Sequence, residues 1–190
     1  MVAVWLVLLG LSSCAQRGPA FALQNITGLM PQLAFEMSDQ DGRAVTAAEY
    51  RGQTVLLYFG YTHCPDVCPT TLATLAKVVR DLGSGGAGVR ILFVTVDPAR
   101  DTAPVLKSYL AYFGSDFVGL RGDDAALTAL TKRYRVAYHR EPADRYGNYA
   151  VDHSSAVFIF DDNGRPRLLA GAGDDSAAFT QDLRRLMTAR

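Results

Sequence analysis

The chain has 190 residues, of which 49% are apolar and 20% charged. That is the ordinary balance of one globular domain with a sizeable core. Lys plus Arg number 19 and Asp plus Glu number 19, and no basic tract or stripe breaks the balance, so a nucleic-acid partner is excluded.

Met1 to Leu11 is an apolar run without charge. It is shorter than the roughly 20 residues that span a bilayer and has the length of a signal-peptide core. Leu11-Ser12-Ser13-Cys14 follows and resembles the lipobox of bacterial lipoproteins, in which the cysteine is lipidated and becomes the new N-terminus. No Lys or Arg precedes the run, a departure from the usual leader; the alternative is an uncleaved N-terminal anchor. Residues 1–13 are read as the signal peptide, 14–32 as a tether and 33–190 as the folded domain. The domain is then exported to the cell envelope, anchored at a membrane and facing the periplasm or another extracytoplasmic space. Cys64 and Cys68 remain in the mature fold, in a compartment where thiols tend to pair unless reduced or ligated.

Leu33 to Met37 reads as a first strand, 39–42 as a turn and Arg43 to Val45 as its return. Thr46 and Glu49 have capping-box spacing for a short helix. Thr54 to Gly60 (TVLLYFG) is a continuous apolar run, as expected of a strand buried on both faces. GYTHCPDVCP follows, with Pro69 suited to the first helical position. Leu72, Leu75, Val79 and Leu82 give that helix its apolar face. Val89 to Val96 is a second buried strand ending at Asp97-Pro98. Thr102 to Phe113 reads as a helix stopped by Gly114, and Phe117 to Leu120 as a short strand. Asp123 or Asp124 caps a helix through Tyr134. Val136 to Tyr138 opens a strand or hairpin whose polar excursion is 141–149. Ala156 to Phe160 and Arg165 to Ala170 form a hairpin about the turn at 162–164, and Ser176 to Met187 closes the chain as a helix.

This order predicts an α/β, thioredoxin-like fold: a central mixed sheet flanked by helices, with an added N-terminal hairpin and a middle insertion. The cysteines fall after a central strand, at the N-terminus of its helix, where the dipole and free N–H groups favour thiolate. Thiolate serves both disulfide exchange and metal binding, so position leaves both open. Spacing says more. Cys64 and Cys68 are separated by three residues, which puts both on one helical face. They can close a disulfide or point at one ion. A plain structural disulfide would close a very short loop for little entropic gain.

Of the three histidines, His153 lies in VDHSS just before a core strand, in the segment this fold sets beside the cysteine helix. Two Cys and one His make a soft set that suits copper in either oxidation state; zinc would want a fourth ligand. His63 adjoins Cys64 in the loop, and His139 belongs to the polar excursion.

GYTHCPDVCP, VDPARDT (Val96 to Thr102) and VDHSS (Val151 to Ser155) together resemble the SCO/SenC family of copper chaperones, in order and approximate separation, from about Leu33 to the C-terminus. The resemblance implies one copper ion held by Cys64, Cys68 and His153 and delivered to the dinuclear copper centre of cytochrome c oxidase. It implies as partners the oxidase copper-centre subunit or another cuproprotein, with a thiol reductant to keep the cysteines reduced. Asp66 is then a residue beside the ligands or a partner contact. Asp97 and Asp101 orient loop backbone or meet a partner; their plainer reading is capping of the helix after them. The competing reading of the same residues is a tethered thiol–disulfide reductase, with Cys64 attacking and His153 dispensable. A copper or redox sensor is a third.

Overall fold

The computed structural model describes residues 20–171 and 173–188. The expected signal peptide, Cys14 and the start of the tether lie outside the described residues. Among the described residues, ten strands and four α-helices follow one another: β1 (Gln24–Asn25), β2 (Glu36–Asp39), β3 (Ala44–Thr46), β4 (Thr54–Gly60), α1 (Val67–Asp81), β5 (Val89–Thr95), α2 (Ala103–Ala111), β6 (Phe117–Arg121), α3 (Asp124–Tyr134), β7 (Tyr138–Arg140), β8 (Val151–His153), β9 (Val157–Phe160), β10 (Pro166–Ala170) and α4 (Ser176–Thr188). Short 3₁₀ turns cover Ala47–Tyr50 and Gly83–Gly88. None of the described helices is long and apolar enough to cross a membrane.

Eight strands form one sheet in the order β1-β10-β9-β4-β5-β6-β2-β3. The centre, β4-β5-β6, is parallel, and β9 joins β4 antiparallel. This is the thioredoxin-like arrangement the element order predicts. The centre is parallel because helical crossovers separate its strands, and such strands are covered on both faces. All seven residues of β4 are buried, so the run TVLLYFG needs no alternation. Leu72, Leu75 and Val78 of α1 and Phe179, Leu183 and Leu186 of α4 complete the core. Val78, rather than the expected Val79, occupies the fully buried position.

Three differences from expectation bear on how the fold is built, beside shifts of one or two residues at the ends of other elements. The first strand begins at Glu36 rather than Leu33, and Leu33 is buried by itself. The expected tether is part of the fold from Ala20 onward: β1 pairs with β10, Leu23 and Ile26 are buried, and Leu23 N–H donates to the buried Asp182 carboxylate at 2.7 Å. Two apolar side chains among polar neighbours give no period, yet they cover the sheet edge. The third is Pro69, which is the third residue of α1 rather than the first. The first helical N–H groups have no intrahelical partner, so proline is tolerated there too.

Candidate metal centre

The parallel strands β4 and β5 run side by side, and both sets of expected site residues follow their C-terminal ends. After Gly60 the chain turns tightly, with Cys64 N–H on the Tyr61 carbonyl at 3.3 Å, and enters α1 through Asp66. Asp66 occupies the N-cap position, but its side chain makes no capping bond and is exposed. Sulfur takes that place: Cys68 N–H donates to Cys64 Sγ at 3.4 Å. An orphan helix donor is thereby satisfied by a side chain of the site itself.

Cys68 is fully buried. Its room comes from Gly60, where an added Cβ would stand 2.9 Å from Cys68 Sγ and 2.8 Å from the Phe93 ring. The Tyr58 ring is buried on the same side, and its hydroxyl has no hydrogen-bond partner of good geometry among the described residues. Burial pushes the Cys68 thiol up to about 12. The expectation that the helix terminus favours thiolate therefore fails at Cys68, because desolvation outweighs the dipole. In the metal-free protein this cysteine is a thiol at neutral pH.

His153 ends β8. Its Nε2 is 3.2 Å from Cys68 Sγ, and its Nδ1 is 3.0 Å from the Ser154 carbonyl oxygen. A carbonyl only accepts, so the proton sits on Nδ1 and the Nε2 lone pair faces the sulfur. Burial lowers the imidazole below its ordinary value, which keeps it neutral near pH 7. The edges of Tyr61 and Tyr58 fix the ring plane, with centroids 5.8 and 6.2 Å away. Both cysteines are free, and the ligating atoms of Cys64, Cys68 and His153 lie within 4.8 Å of one another. Two sulfurs and a deprotonated imidazole nitrogen converging on one point fit a soft ion such as copper. A polarising second contact on the far imidazole nitrogen is the usual accompaniment of a metal-binding histidine.

Asp97 and Asp101 are both fully buried. Neither carboxylate caps α2; Thr102 is the N-cap residue and makes no side-chain bond. Asp101 accepts from Thr62 N–H at 3.0 Å, Thr62 Oγ1 at 2.6 Å and Thr95 Oγ1 at 2.6 Å. It holds the cysteine loop to the end of β5. Asp97 accepts from Tyr149 Oη at 2.8 Å, from Arg140 at 3.4 Å and from Arg100 Nε. His63 is exposed and bonds Thr62 Oγ1, while His139 is exposed beside Glu141; neither joins the centre. The sequence reading missed Gly60, Thr62, Tyr149 and Ser154. Gly60 and Thr62 sit within GYTHCPDVCP and Ser154 adjoins His153 in VDHSS, so these three were within reach; the Tyr149 contact depends on the tertiary fold.

A sequence model of the SCO1/SenC family matches residues 24–188. The chain belongs to the SCO1/SenC family. It is 39% identical over 132 residues to an SCO2-like protein of Rickettsia felis, covering 69% of this chain and 64% of that one. It is also 39% identical over 157 residues to the mitochondrial SCO2 homolog of Bos taurus, covering 82% of this chain and 59% of the other. The match thus spans about three fifths of these relatives' length. The solved structure of Bradyrhizobium japonicum ScoI with copper bound superposes at a TM-score of 0.74 with 36% identity, over 82% of this chain and 98% of that chain.

Proposed function

We propose that this protein is a copper metallochaperone that carries one copper ion on Cys64, Cys68 and His153 and delivers it to the dinuclear copper centre of cytochrome c oxidase. The observation that carries the reading is the convergence of two thiols and the bare imidazole nitrogen within 4.8 Å. The likeness to a copper-bound relative supports the choice of ion, and the resemblance of the three motifs to the SCO/SenC copper chaperones suggests the acceptor.

Copper is cargo here. The chain supplies three donors and leaves the remaining coordination to a partner, so transfer proceeds by exchange of one ligand at a time. Cys64 lies at the loop side, where a partner's thiol or imidazole enters first. Asp66, exposed beside it, is a contact for that partner. Loading requires reduced cysteines, which implies a thiol reductant. Export and membrane anchoring, through a lipid on Cys14 or an uncleaved N-terminal segment, put the domain on the extracytoplasmic side, where the acceptor's copper centre is assembled.

Anaerobic titration of the reduced protein with copper tests the ligand set. One ion bound per chain is expected, with binding weakened in the alanine variants of Cys64, Cys68 and His153. Full retention in any of the three overturns that ligand's assignment. The proximity of two free sulfurs also supports the reductase reading. That reading predicts disulfide-reductase turnover that survives His153→Ala in a protein with no stable copper binding.

A further inference from the structure

His153 is held differently from the cysteines. Among the described residues, β8 has no ladder partner except β7, in a two-stranded sheet separate from the main one. Arg140 of β7 pairs directly with Val151, and Tyr149 enters β8 four residues before His153. The position of His153 against Cys68 is therefore a tertiary matter, decided by what fastens this hairpin to the sheet.

The fastening gathers at one buried carboxylate. Asp97, two residues beyond β5, receives the Tyr149 hydroxyl and the Arg140 guanidinium from the hairpin. Arg100, paired with Asp97, also donates to the Tyr149 carbonyl at 3.0 Å. Its guanidinium lies over the Tyr149 ring at 3.6 Å and reaches the Tyr61 ring at 5.7 Å. Tyr61 in turn meets the His153 ring edge-on. The contacts close a circuit: β5 to Asp97, Asp97 and Arg100 to Tyr149, hairpin to His153, and His153 to the cysteines that follow β4. Charged hydrogen bonds at a carboxylate shielded from water are the strong kind, and losing a donor leaves part of the buried Asp97 carboxylate unpaired. A fully buried carboxylate that serves no ladder and caps no helix is costly to build, and the visible effect of its contacts is to fix the hairpin.

We infer that Asp97, Arg100 and Tyr149 form a lock that positions His153, making them positioning residues for the metal centre although none offers it a ligand. The lock rests on the proposed copper site for its purpose but not for its existence. Its hydrogen bonds reach the histidine hairpin, whereas the cysteine loop is held mainly through Asp101 and Thr62 and meets the lock only where Arg100 nears the Tyr61 ring.

The test uses Tyr149→Phe, which deletes one hydroxyl and keeps the ring under Arg100, with Asp97→Asn as the stronger variant. In the metal-free protein, amide hydrogen exchange at 151–153 is expected to speed about tenfold in Tyr149→Phe, while exchange in β4 and α1 stays unchanged. Unchanged exchange at 151–153, or equal acceleration throughout, overturns the lock. Copper affinity, read by competition with a chelator, is expected to fall by about the same factor. The nitrogen signature in the Cu(II) electron paramagnetic resonance spectrum is expected to weaken with it. In a His153→Ala background the same substitution is expected to cost nothing further; an equal loss in both backgrounds means that Tyr149 does not act through His153. If the unsubstituted protein holds no copper, the proposed function falls, and the exchange measurement still decides the lock.

Discussion

The two halves of the metal centre are built to different standards of rigidity. The cysteine half grows out of β4, the most buried strand of the sheet, and continues into α1, whose apolar face packs on it. Cys68 is as buried as any core leucine. The histidine half rides on a three-residue strand outside the main sheet and is fastened by side chains. Backbone ladders shared with neighbours open only with the whole domain, whereas a hairpin held by a few polar contacts opens locally. One ligand set thus combines a fixed pair with a hinged third.

That contrast can be broken from the cysteine side first. Asp101→Ala strips the acceptor from three donors, two of them on Thr62. A loss of about 3 kcal/mol in unfolding free energy is expected, measured by urea denaturation of the metal-free protein. Gly60→Ala comes next. Its methyl group meets Cys68 Sγ and the buried Phe93 ring, so overpacking should cost about 2 kcal/mol and displace the sulfur. Denaturation reads the first effect and alkylation of Cys68 in the native state the second. On the histidine side, Arg140→Ala removes a longer contact from a half-exposed guanidinium. Less than about 1 kcal/mol is expected, with exchange faster at 151–153 and unchanged in α1.

The gentlest probe is pH. Burial lowers the His153 imidazole in the folded state, so below about pH 6.5 the unfolded chain binds a proton that the folded one refuses. The neutral histidine's contribution is complete above that value and is lost as pH falls through the lowered folded value. The metal-free protein should therefore lose stability on mild acidification, and His153→Gln should flatten that part of the profile.

The same contrast governs what could be read from the sequence. TVLLYFG announces its strand because a run buried on both faces has to be apolar throughout, and β4 occupies 54–60 as expected. Asp123 caps its helix through Ala126 N–H because capping is a local matter. The three candidate ligands were legible from spacing, order and resemblance, and the fold brings them together. The two-residue β1 and three-residue β8 were not legible, since no period fits in so few residues. Tyr149 lay hidden in a polar excursion 52 positions from Asp97, and a partner at that distance leaves no local trace. The raised thiol of Cys68 was missed for a related reason: the helix terminus is visible in sequence, and the burial that overrides it is not.

Gly60 carries one more consequence. By giving up its own side chain it lets Cys68 Sγ fill the space a Cβ would take against Phe93, so the sulfur completes the packing of the sheet face. An atom that is part of the interior does not follow a departing ion. In the proposed transfer, Cys64 and the hinged His153 let go first and Cys68 last, and the emptied site opens no void behind it. The protein would hand over its cargo with reorganisation confined to the hinged histidine, while the buried sulfur keeps the shape that held the last ion.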